Sequence, residues 1–581
     1  MGTDLLTRLL KEYLHPYRNT VAAISILLLV QSIANLYLPN LNAELINNGV
    51  AKGDISYIWR IGFIMLASSA LVMGSSILLG YLSARISMAF GADLRGAVFA
   101  AVERFSTREL NSFGAPSLIT RNTNDVQQVQ MVLFMGLTMM LSAPITGIGA
   151  SIMAVKTNAK LSLLLLVVTP LMSLLIWVLL RRVVPLFRTM QIKIDRINLV
   201  LREQISGVRV IRAFVKTDFE EKRFADASQD LMNTSLSVTR TFAVMFPSLM
   251  LILNLTSVAV IWFGGKLVDT GEMPIGNLTA FLAYIMQILS SVMMAVMMSL
   301  MIPRAAASAE RIQEVLLTPS SVVETLNPLQ PKEKLGVVEF KDVEFRYPGA
   351  EHPVLSGVSF TAKPGQFTAI VGSTGSGKTT LANLIPRFID PTMGQILIDG
   401  VNVREQELEE VWKNIGLVPQ RAFLFGGTIA SNLAYGDSDA SDEAMWNALE
   451  IAQAKSFVEE KEEQLLAPVS QGGTNFSGGQ RQRLAIARAV IKKPKIYILD
   501  DSFSALDFTT DLNLRIALEQ NSKESTMIVV AQRVSTILNA DQIIVLDQGH
   551  VVGIGKHQDL MRECETYKEI VLSQLSPEEA A

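Results

Sequence analysis

The chain has 581 residues with a formal net charge of −3, 49% hydrophobic and 18% charged residues, and a mean hydropathy of +0.33. Such a length calls for two or more domains, and so few charges exclude an ordinary soluble protein. The near-neutral balance gives no footing for nucleic acid as a partner. The single cysteine, Cys564, excludes an internal disulfide framework and suits soluble parts in a reducing cytosol, and four scattered histidines (His15, His352, His550, His557) outline no metal site.

Residues Met1–Arg18 set Leu5, Leu6, Leu9, Leu10, Tyr13 and Leu14 among Arg8, Lys11 and Glu12, a stripe that lacks a cleavable signal pattern and suits an amphipathic helix lying on a membrane surface, although a soluble packing helix shares it. Six charge-free windows follow: Asn19–Ala43, Ile61–Ala84, Val126–Val155, Leu161–Leu180, Thr241–Gly265 and Met273–Ile302. Crossing a bilayer core of about 30 Å takes roughly 20 residues, so each is long enough to span. Asn35, Pro39, Asn40 and Asn254 interrupt the apolar runs and call for a cavity or a neighbouring helix to satisfy them.

Orientation is read from the loops. Arg85–Asp125 carries Arg85, Arg95, Arg104, Arg108 and Arg121, and Arg181–Arg240 carries Arg181, Arg182, Arg188, Lys193, Arg196, Arg202, Arg209 and Arg212 among others. Lys156–Lys160 and Lys266–Glu272 are short and poor in basic residues. Positive charge concentrates on the cytoplasmic side, so the two long segments and both termini are expected there. Within Leu201–Phe224 the spacing of Ile205, Val208, Ile211 and Phe214 predicts helices that continue beyond the membrane.

Residues 1–317 thus read as a six-helix transmembrane domain. Thr318–Leu335, with Pro319, Pro328 and Pro331, reads as a linker. From Gly336 to residue 581 short β-rich runs (Val337–Phe340, Phe367–Val371, Ile496–Leu499, Met527–Val530, Ile543–Leu546) alternate with helical patterns, predicting an α/β domain with a largely parallel sheet. After the strand Phe367–Val371, and opening the helix Thr379–Ile385, comes Gly372-Ser373-Thr374-Gly375-Ser376-Gly377-Lys378-Thr379, a phosphate-binding loop. Its glycines let backbone N–H groups face phosphates, Lys378 reaches the β/γ-phosphates, and Thr379 can hold Mg²⁺. Asp500 ends an apolar strand, the place for a carboxylate in the Mg²⁺ shell. ATP and Mg²⁺ are the ligands these residues imply.

With these motifs and the six spans together, the whole chain resembles a half-transporter of the ATP-binding cassette (ABC) exporter type. The resemblance implies further roles. Phe476-Ser477-Gly478-Gly479-Gln480 matches the signature that clamps ATP held by the opposite subunit, Tyr347 the aromatic residue stacking on adenine, and Gln420 the glutamine that senses Mg²⁺. Thr380 belongs to the phosphate loop, Ser504-Ala505-Leu506-Asp507 matches the loop crossing the dimer interface, and Glu109–Asp125 and Glu203–Phe224 resemble the loops that dock on the ATPase domains.

Three positions depart from the family pattern. Asp501 stands where competent sites have the Glu that polarises water, retracting the carboxylate by about 1.5 Å, one C–C bond. Misplacement by about 1 Å can cost on the order of 10²-fold in rate. Gln532 replaces the switch His, and losing one such charge stabiliser costs about 10²–10³; acting on one phosphate, the two losses need not multiply. Val469-Ser470-Gln471-Gly472 carries Ser-Gln where Gly-Glu is usual. The signature is untouched. A site that binds ATP and turns it over slowly, beside a signature serving a partner's site, implies a heterodimer with a second half-transporter in a bacterial inner membrane. Harmless drift of Asp501 and Gln532 in a slow homodimer would leave the same residues.

The sixth span carries Met286, Met293, Met294, Met297, Met298 and Met301, and the fifth Phe242, Met245, Phe246 and Met250. An adaptable, polarisable surface of this kind suits lipophilic cargo such as drugs or lipids, although methionines pack equally well against helices or lipid. An inward transporter of lipid or siderophore-like cargo would share the fold. An ATP-gated channel or regulatory subunit would share the slow site, yet the spans show no ring of charges. The topology has a direct check: with Cys564 replaced, a cysteine at Asn158 should react with an impermeant thiol reagent from outside and one at Ser112 only from inside. The reverse labelling would invert the orientation.

Overall fold

The computed structural model describes residues 2–578; Met1 and residues 579–581, the ends of the two expected domains, lie outside them. Side chains at 2, 3, 180, 184, 188, 242, 246, 297, 299 and 300 also lie outside the described set, and with them Arg188 of the basic segment and Phe242, Phe246 and Met297 of the expected cargo face. The chain divides into two compact units, Met1–Glu103 with Pro116–Thr318, and Arg104–Ala115 with Pro319–Ala581.

Among the described residues six helices are long and apolar enough to cross a membrane: Asp4–Val50, Ile55–Glu103, Ala115–Thr157, Ala159–Ala213, Thr217–Asp269 and Ile275–Leu317. They run 43 to 55 residues, roughly 65–80 Å at 1.5 Å per residue, about twice what a bilayer core requires. Ile205, Val208 and Phe214, placed on one face by their spacing, are exposed where two of these helices meet, at a break that puts Val215 at φ +50. The methionine face is divided: Met298 is buried, whereas Met286 and Met294 are exposed.

Of the residues expected to interrupt the spans, Pro39 is met by helix pairing, whereas Asn40 bonds Glu44 one turn on in its own helix at 3.1 Å. The helix Arg18–Glu44 passes unbroken through Pro39. Proline has no N–H, so the carbonyl four residues back, Asn35, loses its helical donor; Gln287 Nε2 approaches that oxygen at 3.4 Å. One residue on, the hydroxyl of fully buried Tyr284 donates to the Leu36 carbonyl at 3.2 Å. Farther along the same pair, Asn47 accepts the Gly276 N–H at 2.7 Å and donates to Asn277 at 3.0 Å. A Cβ at Gly276 would come within 2.4 Å of the Ala43 carbonyl, so only glycine allows this approach. Elsewhere in the unit buried Asp125 accepts from Ser308 at 2.9 Å and from Arg311 at 2.5 and 2.8 Å, while Arg121 bonds Glu314 at 2.7 Å.

The second unit holds a four-stranded sheet, in the order Leu355–Ala362, Val338–Phe345, Met393–Ile398, Val401–Asn402, with antiparallel neighbours throughout. Its six-stranded sheet runs His550–Gly555, Gln542–Asp547, Phe367–Gly372, Thr526–Val530, Ile496–Asp500, Ile415–Val418, parallel except for the first pair. Alternating side chains feed two cores. Val371, Leu499, Val529 and Val545 face one, and Ile370, Ile498, Ile528 and Ile544 the other. The segment read as a linker lacks helix and strand but is pinned: Leu329 N–H bonds Glu405 O at 2.7 Å, Arg387 bonds Val323 O at 2.9 Å, and Ser321 N–H bonds Glu109 at 3.2 Å. Glu109 closes the capping box of the helix Thr107–Phe113 with Ser106.

Truncating Asp125 strands the buried ends of Ser308 and Arg311. Asp125→Ala should lower stability by roughly 1–3 kcal/mol, toward the lower end because Arg311 is half-exposed. Thermal unfolding of the detergent-solubilised protein measures it.

Candidate nucleotide-binding site

The site follows from strand register. Val530 lies opposite both Ile370 and Asp500 in the parallel sheet, so the loops after Gly372, Val418, Asp500 and Val530 leave along one edge. After Gly372 the chain turns with Gly375 at φ +86 and Gly377 at φ +99, then enters the helix Lys378–Leu384, one residue earlier than the spacing suggested. The first helical N–H to find a carbonyl there is Leu381's, on Gly377 at 2.9 Å, which leaves the amides of the helix's first turn for a ligand, while the Ser376 N–H is held by the Ser373 carbonyl at 3.2 Å.

Lys378 Nζ turns back on the carbonyls of Gly372 and Ser373, each at 2.8 Å. Burial holds its pKa below the ordinary lysine value although Asp501 and Asp500 pull it up. Thr379 Oγ1 donates to Asp500 Oδ1 at 3.4 Å, and Gln420 Nε2 to Asp501 Oδ2 at 3.3 Å. Burial pushes both carboxyls above the usual range, in Asp500 against Thr379 and Lys378, in Asp501 against Gln420 and Ser504. A cramped ammonium and two under-compensated acids fit a phosphate-bearing ligand with a hard cation, and the donors at hand (a hydroxyl, a carboxylate, an amide oxygen) are the oxygen set that Mg²⁺ takes. Among the described residues no three His, Cys, Asp or Glu gather as a self-sufficient metal site.

Tyr347 packs edge-on to Phe345 at 4.8 Å and pairs its hydroxyl with Thr380 at 3.1 Å, leaving the ring half-exposed. Ser376 is buried with its hydroxyl unpartnered. Ser477 caps the helix Gly478–Ile491 reciprocally with Gln480, at 3.0 and 3.2 Å. Phe476 is buried under the Lys461 ammonium, 4.8 Å from its ring centroid. A Cβ on Gly479 would press to 3.1 Å on the Ala505 carbonyl, so the signature and the loop Ser504–Asp507 touch through glycine. Asp507 caps the following helix through Thr510 N–H at 3.0 Å. Gln532 is exposed, apart from the signature but on the same edge as Asp501.

Residues 21–292 match the ABC transporter transmembrane region family and 355–504 the ABC transporter family. The chain belongs to the ABC transporters. An uncharacterized ABC transporter ATP-binding protein of Mycobacterium tuberculosis is 48% identical over 574 residues, 98% of each chain, and one of Bacillus subtilis 36% identical over 568, again 98% of each. An ATP-dependent lipid A-core flippase of Pseudomonas aeruginosa is 33% identical over 88% of this chain and 84% of its own. A bacterial Atm1-family ABC exporter with ATP bound shares the fold, with a TM-score of 0.79 at 24% identity over 95% of this chain and 97% of that one. This ABC protein is therefore a multi-pass membrane half-transporter carrying one transmembrane region and one ATP-hydrolysing domain.

Sequence reasoning passed over a groove of about 330 Å³ lined by Phe388, Trp412, Phe425, Tyr435 and Arg488. Phe425 stacks on Tyr435 at 4.3 Å, and Arg488 donates to the Phe423 carbonyl at 2.9 Å. The aromatic run just after Gln420 was its signal in the sequence.

The raised pKa of Asp501 has a consequence for stability. Just above the ordinary carboxylate range the folded chain keeps a proton that the unfolded chain has released, so stability from this group declines as pH rises through that interval. Asp501→Asn should raise the thermal midpoint of the nucleotide-free protein near pH 8, and the gain should shrink toward about pH 4. An equal gain at both ends would exclude the carboxylate as its source.

Proposed function

We propose that this chain is the slow-site subunit of a heterodimeric ABC exporter that moves lipophilic molecules across a bacterial inner membrane, with its ATPase domain and termini in the cytoplasm. The observation that carries the reading is Asp501 in the place of a catalytic glutamate, with its short carboxylate turned onto Gln420 rather than left free for water.

ATP binds at Gly372–Thr380, where backbone amides and Lys378 take the phosphates and Tyr347 offers a ring to the base. Thr379, Gln420 and Asp500 would hold Mg²⁺, which supplies charge neutralisation at the β- and γ-phosphates. To work as a base, Asp501 would have to give up the Gln420 bond and reach farther than one methylene allows, and Gln532 offers an amide where a cation stabilises developing charge. The capped signature Phe476–Gln480 remains fit to close a partner's site, and Ser504–Asp507 to cross the interface. A partner retaining the glutamate and histidine would then carry turnover, while ATP held here keeps the two ATPase domains together.

Support for lipophilic cargo is the exposed Met286 and Met294 on a span without central charge, and the lipid named by the flippase relative. The exposed Ile205, Val208 and Phe214 and the aromatic groove suit loop docking between subunits.

Two sets of variants test the assignment in the full dimer. Lys378→Ala should weaken ATP binding at this chain's own loop and slow transport only in part, whereas Ser477→Ala should slow turnover at the partner's site. Asp501→Asn should leave overall turnover nearly unchanged, and Asp501→Glu with Gln532→His should raise hydrolysis here. Alone, the chain should hydrolyse ATP at least about tenfold more slowly than the dimer. A vigorous homodimer silenced by Asp501→Asn would refute the assignment and make Asp501 a working base.

A further inference from the structure

The C-terminal helix Glu565–Leu572 anchors a side chain that reaches back to the switch loop. Tyr567 and Val571 of that helix are fully buried in the domain core. Beyond its last turn, the N–H groups of Gln574 and Leu575 close on the Val571 carbonyl at 3.0 and 2.9 Å, so the backbone at Gln574 is fixed by a buried residue. From there the Gln574 amide makes two bonds at once. Its Nε2 donates to the Gln532 carbonyl at 2.9 Å, and its Oε1 accepts the Val534 N–H at 2.9 Å.

These two bonds straddle Arg533. On the near side of the loop Ala531 N–H is tied to the Ile370 carbonyl at 3.1 Å, as a continuation of the sheet, and on the far side Val534–Thr536 forms a single tight turn. Gln532 and Arg533 are the two residues between these anchors. Arg533 in turn spends its guanidinium on the interface loop, donating to the Ser504 carbonyl at 2.9 Å and the Leu506 carbonyl at 3.3 Å. A continuous path of hydrogen bonds therefore runs from buried Val571 of the C-terminal helix through Gln574 to the backbone of Gln532 and Val534, and through Arg533 to Ser504 and Leu506.

We infer that Gln574 is a positioning residue for ATP turnover: it locks the backbone on both sides of Arg533, and so sets where Arg533 holds the loop that crosses the dimer interface and where Gln532 presents its side chain. Gln574 bonds the backbone of the switch loop from the side of the C-terminal helix. Its effect falls on geometry: both bonds go to main-chain atoms, so the identity of residue 532 does not enter. A primary amide is the side chain that can accept from one backbone N–H and donate to one backbone C=O in the same plane. A carboxylate there would keep the Val534 bond and set a second oxygen against the Gln532 carbonyl. The inference rests on the assignment of Ser504–Asp507 as an interface loop, and not on which of the two ATP sites is the slow one.

The test uses steady-state ATP turnover of the full-length chain in the dimer in which it purifies, with Gln574→Ala, Gln574→Glu, Arg533→Ala and the Gln574→Ala/Arg533→Ala pair. Gln574→Ala should lower kcat about tenfold, the scale of a loop shifted by a fraction of an ångström. The KM for ATP should stay within about twofold, since uniform binding is untouched. Gln574→Glu should fall between wild type and alanine. Arg533→Ala and Gln574→Ala lie on one path, so the pair should cost little more than the worse single change. An unchanged kcat, a loss appearing only as raised KM with a lowered thermal midpoint, or multiplicative losses in the pair would each overturn the inference. A kcat loss for Gln574→Ala in a homodimer that Asp501→Asn also silences would support it while removing the slow-site assignment, so the two readings fail separately.

Discussion

The parallel register of one buried sheet is the constraint on which the site depends. Parallel strands send their C-terminal ends to a common edge, and each crossover returns the chain to the opposite side. Because Ile370, Val530 and Asp500 are neighbours across three strands, the phosphate loop, the carboxylate pair and the switch loop arise along a single line. That sheet is apolar on both faces, with Ile370, Ile498, Ile528, Val529 and Leu499 all fully or almost fully buried. Slipping one strand by a residue would exchange its two faces, so packing on both sides holds the line in place.

The edge where the strands end is also where the domain accumulates electrostatic strain. Lys378, Asp500 and Asp501 are all partly withdrawn from water, and burial works against the charged form of each. Internal bonds compensate only in part, through Thr379 at 3.4 Å and Gln420 at 3.3 Å. Such a site gains most from a ligand that brings phosphate to the ammonium and a cation to the acids. In Asp501 the same feature has a second meaning, because its backbone sits at φ +49 and its N–H bonds Val530 O at 2.9 Å, leaving the short side chain little freedom to seek another partner.

The membrane half meets a different problem, polar groups set in an apolar surrounding, by pairing several of them across helices. Pro39 removes a helical bond, and Gln287 and Tyr284 stand beside the carbonyls it disturbs. Asn47 and Gly276 join the same two helices two to three turns beyond. Asp125 is balanced by Ser308 and Arg311 from a helix distant in sequence. At Pro39 and Asn47 a break in the apolar run thus becomes a point at which two helices recognise one another.

Residues close together in sequence made much of this legible in advance. Charge-free windows announced six spans because burying a charge in hydrocarbon is costly, and a glycine-rich loop between a β-rich run and a helix marked a candidate phosphate site because few other local patterns place successive amides outward. Asp501 and Gln532 were visible as single-residue departures from a motif. What the linear chain could not reveal were pairings whose partners lie far apart along it. The length of the helices, the splitting of the methionine face into buried Met298 and exposed Met294, and the pinning of residues 319–335 by Glu109, Arg387 and Glu405 all depend on packing. So does the bond between Gln420 and Asp501, 81 residues apart, and that between Gln574 and Gln532, 42 apart. Periodicity and motif spacing are local properties and are written in the chain; a hydrogen bond across a fold has no local signature, because any amide on the surface has the chemistry and only the tertiary structure brings one of them to the loop it holds.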